Sequence, residues 1–95
     1  MNTIFTTTDK TERTIRLTKT QWSHIRQDHP NVTDYQDIKT TIENPIKTIL
    51  LEKQKIVYYN YFKHRNNPAK YLKVIAKLLN GEGFVITAHF QRTIK

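Results

Sequence analysis

The sequence predicts an α+β domain: two helices packed on one face of a four-stranded antiparallel sheet, which a short extra strand could extend to five. Three observations predict it. Two capping signals in succession each open a helical apolar stripe, the second half alternates with a period of two, and the only glycines, Gly81 and Gly83, fall together.

Thr14-Ile15-Arg16-Leu17 alternates polar and apolar side chains, as a short edge strand does. Thr18 then offers an N-cap and Gln21, three residues on, closes a capping box. The helix that follows runs to about His29, with Trp22, Ile25 and His29 on one stripe and His24 almost opposite Trp22. Pro30 disfavours helical geometry at His29 and stops it there. The same grammar recurs with Thr33 and Gln36 as a second capping box, Tyr35, Ile38 and Ile42 as the apolar face, and Asn44-Pro45 as the stop. Neither helix can bury its stripe alone, so both need a sheet.

The remaining residues supply one. Ile46–Leu51 and Lys55–Phe62 read as strands around a polar turn of Glu52, Lys53 and Gln54. A basic loop, His64-Arg65-Asn66-Asn67-Pro68, leads to a strand over Tyr71–Leu79, a turn at Asn80-Gly81-Glu82-Gly83 and a last strand over Phe84–Phe90. Leu72, Val74, Ala76 and Leu78 share one face of the third strand; Phe84, Ile86, Ala88 and Phe90 share one face of the fourth. In Lys55–Phe62 either alternating set could face the core.

A chain of 95 residues is one domain by size, expected over 13–95, with residues 1–12, rich in threonine and without an apolar run, as a flexible N-terminal segment. Those first residues lack the pattern of a signal peptide, and no stretch approaches the roughly 18–20 apolar residues of a membrane span. The expectation is a soluble, cytoplasmic protein with no membrane partner. Without cysteine there are no disulfides and no thiolate metal sites. The net charge of +8, from 16 Lys+Arg against 8 Asp+Glu, favours an anionic partner, most commonly a phosphate backbone.

With the apolar faces inward, the open face of the sheet carries Lys73, Lys77, Thr87 and His89, with Tyr59 and Tyr61 from the neighbouring strand. Lysines neutralise phosphate and tyrosines stack on splayed bases, although aromatics interleaved with charge are also ordinary strand composition. His89 can serve as a general acid or base near neutrality. His29 stands at a helix C-terminus, where the dipole favours imidazolium and where capping the helix is an equally good role. His64 lies in the basic loop. His24 and His29 are about 140° apart around a helix, which does not suit a two-histidine zinc site, and no carboxylate cluster offers a magnesium site. No metal and no cofactor is expected. RNA carries its own nucleophile in the 2′-hydroxyl, so a base, an acid and a positive charge suffice to cleave it. DNA lacks that group, and this residue set therefore argues for RNA.

Trp22-Ser23-His24-Ile25 with His29-Pro30, then Ile42-Glu43-Asn44-Pro45, Tyr58-Tyr59-Asn60-Tyr61, Tyr71-Leu72-Lys73-Val74 and Gly83-Phe84-Val85-Ile86-Thr87-Ala88, resemble a known group in their order and spacing. That group is the phage-associated branch of the barnase–EndoU–colicin–RelE superfamily of small ribonucleases and toxins, and the resemblance spans Thr14 to Lys95. It implies N-terminal helices on a four-stranded antiparallel sheet, metal-independent RNA cleavage, and a protein inhibitor or antitoxin as a partner. It carries over His24, His29, Lys73 and Thr87 as catalytic candidates. His89 stands where other members carry an aromatic, so its catalytic role is inferred from chemistry alone.

The leading expectation is thus an endoribonuclease of the toxin type. His89 and a helix histidine share the acid and base roles, Lys73 holds phosphate with Arg65 or Arg92, and Tyr59, Tyr61 and Lys77 bind the RNA. The alternatives are a non-catalytic RNA-binding module and a basic interaction protein that docks on an acidic partner. A homodimer through the edge Thr14–Leu17 is a further option.

Overall fold

Apolar stripes on two short helices are covered here by a six-stranded sheet. The computed structural model describes residues 2–52 and 54–94; Met1, Lys53 of the expected turn, and Lys95 lie outside the described residues. In chain order the elements are β1 (Thr3–Thr8), β2 (Thr14–Thr18), α1 (Lys19–Asp28), α2 (Tyr35–Glu43), β3 (Lys47–Leu51), β4 (Lys55–Tyr61), β5 (Tyr71–Leu79) and β6 (Glu82–Gln91). The strand order is β1-β2-β6-β5-β4-β3. Every pairing is antiparallel except β2 with β6, which run parallel over Thr14–Arg16 and Glu82–Phe84.

The α+β class holds, and three expectations of detail are corrected. The sheet is mixed and has six strands rather than four or five antiparallel ones, because the chain closes on itself by laying β6 beside β2. The helices are not N-terminal to the sheet, since two strands precede them. The segment expected to be flexible contains β1, where threonine acts as a β-branched strand former rather than as a polar loop residue: Phe5 and Thr7 are buried while Thr6 and Thr8 are exposed.

Asp9, just after β1, organises this end of the molecule. Its Oδ1 accepts hydrogen bonds from the Thr11 and Arg13 backbone N–H groups at 2.9 and 3.0 Å and from the Thr11 hydroxyl at 2.8 Å. Its Oδ2 accepts the Tyr58 hydroxyl of β4 at 2.6 Å. On a flat sheet β1 and β4 would stand four strand spacings apart, about 19 Å. The contact therefore requires the sheet to curl toward its helix side, where α1 and α2 fill the space. There Ile25, Val32, Ile38 and Ile42 meet Ile15, Leu17, Ile56, Leu72, Val74, Val85 and Ala88 in one buried cluster. Trp22 closes its margin edge-on against Tyr35, with ring centroids 5.7 Å apart.

Local chemistry sets the remaining boundaries. The N-cap of α2 is Asp34, whose Oδ1 accepts the Gln36 N–H at 2.9 Å, and not Thr33. Asn80 and Gly81 both have positive φ (53° and 80°) and make the tight β5–β6 hairpin. Gly83 lies inside β6 rather than in the turn, and glycine is needed there because a Cβ would come within 2.4 Å of Ile15 Cδ1 where β2 and β6 meet. Ile86 is an extra residue in β6, opposite the step from Ile75 to Ala76. This bulge reverses the expected facing at one end: Val85 joins Ala88 and Phe90 in the core, and Phe84 turns to the face of Thr87 and His89. In β4 both alternating sets are buried, Ile56 and Tyr58 under the helices and Val57 and Tyr59 on the other face. No helix among the described residues is long and apolar enough to cross a membrane.

Burial alone would raise the Asp9 carboxyl, but the hydrogen bonds from Tyr58, Arg13 and Thr11 outweigh it and hold the group below its ordinary value of 3.8. A depressed carboxyl contributes stability that is complete above the unfolded-state pKa and is lost as pH falls through the folded one. Tyr58→Phe removes one donor from a buried carboxylate and is expected to cost about 1–3 kcal/mol in urea unfolding at pH 7. Its stability should also fall less steeply below pH 4 than that of the parent chain. An unchanged urea midpoint would show that the Asp9–Tyr58 contact carries no weight.

Candidate active site

β2 accompanies β6 only as far as Phe84. Past that point the outer edge of β6 would be bare, and α1, entered directly from β2, lies along it. Thr18 caps α1, its hydroxyl accepting the Gln21 N–H at 3.2 Å. The Gln21 side chain does not complete the expected capping box; its Nε2 donates to the carbonyl of the bulge residue Ile86. Helix and strand are thereby tied at the point where the sheet gives way to the helix. α1 ends at His29, whose N–H reaches the Ile25 carbonyl at 2.7 Å. This places the His29 ring 5.2 Å from the His89 ring, centroid to centroid, with the planes inclined at 32°.

Register assembles the rest of the site. Lys73 of β5 is paired with His89, Tyr59 of β4 with Lys73, and Lys47 of β3 with Tyr59, so the four form one row across the open face. The Lys73 ammonium lies 6.0 Å from the centre of the Tyr59 ring. Tyr59, Lys73, Gln91 and Thr93 line a cavity of about 360 Å³. Gln91 donates from Nε2 to the Thr93 carbonyl at 2.7 Å, which turns its Oε1 toward His89 Nε2 at 3.3 Å. In the tautomer whose Nε2–H donates to that oxygen, His89 Nδ1 keeps a free lone pair. Burial, then the neighbouring His29, then Lys73 push the His89 pKa below its ordinary value of 6.5, and the Gln91 contact offsets them only in part. The ring is accordingly neutral at pH 7 and able to accept a proton.

The expected catalytic residues divide. His29, Lys73 and His89 come together, and Thr87 lies two residues from His89 on the same face, in the row of Ile75 and Val57. His24 does not join them: it is exposed on α1, away from the side that buries Ile25.

Among the residues expected to bind RNA, Tyr59 is only 4% exposed and forms the floor of the site, so it offers no free face for a base. Tyr61 is exposed at the next row, beside Tyr71. Arg65 packs against the face of Phe90, its guanidinium carbon 3.5 Å from the ring centre, and its Nε donates to the Ala69 carbonyl. Phe90 points to the helix side, so Arg65 belongs to that side and not to the open face. Lys77 is exposed about 13 Å along β5 from Lys73, and Arg92 is exposed just past β6. Gln91 and Thr93 were not among the expected residues. Gln91 was legible in principle, because it follows His89 by one strand period on the same face. Among the described residues no three histidine, aspartate or glutamate side chains converge as a metal-binding group.

No family model matches the chain, and no characterised protein or solved structure matches it.

The histidine pair makes a direct spectroscopic prediction. In an NMR titration the His89 ring should have its midpoint below 6.5. His29→Gln and Lys73→Met should each move it upward, because each removes a positive neighbour. A midpoint unmoved by both substitutions would mean that the three groups do not share a site.

Proposed function

We propose that this chain is a metal-independent endoribonuclease, akin to the phage-associated branch of the barnase–EndoU–colicin–RelE superfamily that its sequence resembles. One observation carries the reading: two histidine rings 5.2 Å apart, held on different elements, beside a lysine in the same row of the open face.

Cleavage through the 2′-hydroxyl needs a base on one side of the phosphorus and an acid on the other, with positive charge at the non-bridging oxygens. His89, neutral and with Nδ1 free, removes the 2′-hydroxyl proton. The 2′-oxygen attacks phosphorus and the bond to the 5′-oxygen breaks. His29, at the C-terminus of α1, is placed to give that leaving oxygen a proton. Lys73 faces the phosphate from the neighbouring strand and offsets its growing negative charge. The products are one strand ending in a 2′,3′-cyclic phosphate and one beginning with a 5′-hydroxyl. Gln91 is a positioning residue that selects the His89 tautomer. An RNA substrate also suits the net charge of +8. A toxin role restrained by a protein inhibitor is the narrower form of this reading and rests on the resemblance.

Purified protein incubated with mixed RNA in excess chelator should yield fragments ending in 2′,3′-cyclic phosphate. His89→Ala should lower the rate by about 10²–10⁴-fold while leaving RNA affinity nearly intact. The acid limb of kcat/KM should lie below pH 6.5, where His89 loses its proton. Lys73→Ala should weaken binding and flatten its salt dependence. RNA left intact at high protein concentration would sink the enzymatic reading; retention of RNA without product would favour a binding module.

A further inference from the structure

One residue period beyond the Lys73–His89 row, Tyr61, Tyr71 and Gln91 form the next row of the sheet. Tyr61 is 45% exposed, and its ring centroid lies 4.9 Å from that of Tyr71. This is the opposite of Tyr59, which the sheet covers. Tyr61 also borders a cavity of about 540 Å³ at the end of β4, walled by Phe62, Lys63, His64, Arg65 and Asp37. Lys63 and His64 are exposed at its rim. An aromatic pair with one ring exposed, a cavity large enough for a planar ring system, and a lysine and a histidine at the rim are together what a splayed nucleotide needs. In the wall the Asp37 carboxylate is offset by the neighbouring Arg65 guanidinium, so the cavity suits an uncharged base, and the backbone belongs outside it at Lys63 and His64.

We infer that Tyr61 and Tyr71 form a stacking platform for one unpaired base next to the scissile phosphate, with Lys63 and His64 holding the phosphate of that nucleotide. The inference takes from the ribonuclease reading only the identity of the polymer, and it makes the substrate single-stranded. A base held in a duplex stays stacked on its neighbours and cannot lie on Tyr61.

The test uses the full chain and an uncleavable 2′-O-methyl RNA oligomer carrying one 2-aminopurine. The single-stranded oligomer should bind with fluorescence quenching, and its duplex at least about tenfold more weakly. Tyr61→Ala should weaken single-strand binding roughly 5- to 100-fold and remove the quenching, and Tyr61→Phe should retain both. Equal binding of duplex and single strand, unaltered binding by Tyr61→Ala, or equally tight competition by a poly-glutamate peptide would overturn the platform. The two readings fail separately. Quenching that depends on Tyr61 in a protein that leaves natural RNA uncut keeps the platform and removes the nuclease; cleavage with unchanged KM in Tyr61→Ala does the reverse.

Discussion

Along its outer edge β6 changes neighbour midway, from the backbone of β2 at Glu82–Phe84 to the side of α1 beyond it. The geometry of the candidate site depends on this exchange. A strand that continued beside β6 would have covered His89 from that edge, and a helix that began elsewhere would not bring its last residue there. The Ile86 bulge marks the point of exchange. It leaves a carbonyl unmatched by the ladder, and the Gln21 amide takes it, at a position in the first turn of α1. From that tie, α1 runs eight more residues to His29, about 12 Å of helix, matching the extended rise from Ile86 to His89 closely enough for the rings to meet.

Charge is distributed so that the site lacks an internal counter-ion. Among the described residues the ion pairs are Arg13–Asp9, Arg16–Glu82 and Lys39–Glu43, all away from the His89 row. That row itself holds Lys47, Lys73 and His89 with Tyr59 and no carboxylate. Asp9, the most deeply buried carboxylate, is engaged by Tyr58, Thr11 and Arg13 in holding the curl of the sheet. One set of interactions therefore shapes the scaffold with its acids satisfied, and another presents bases and cations with no carboxylate in their row.

Much of the scaffold was legible because its signals are local. The stripe of Trp22 and Ile25 with Pro30 behind it placed the end of α1, and hence His29, correctly. The alternation of Leu72, Val74 and Ala76 placed Lys73 on the open face. What was not legible depends on pairing between distant segments. Nothing in Thr3–Thr8 announces a partner strand until Thr7 and Phe5 are seen against β2 and the core. The parallel contact of β2 with β6 is decided by the whole topology. A bulge at Ile86 is invisible to a period of two, which is why Phe84 and Val85 were assigned to the wrong faces. Arg65 was misread because a cation in a basic loop looks free; its stacking on Phe90 depends on how that loop folds back.

β4 holds the last piece of the argument. The helical core needs only Ile56 and Tyr58 from this strand, yet Val57 and Tyr59 on the opposite face are also buried, at 1% and 4% exposure. Their neighbours in register are Ile75 and Lys73, and beyond those Thr87 and His89. This second apolar layer lies under the open face, where no helix covers it. It adds little to packing between the layers of the domain, but it sets an apolar surface beside Lys73, the residue paired with His89. Burial is the largest of the influences that keep that ring neutral. Val57, Tyr59 and Ile75 thus form an apolar floor beside the Lys73–His89 pair, as Ile56, Tyr58 and Val74 do on the helix side, and β4 contributes to both with its two faces.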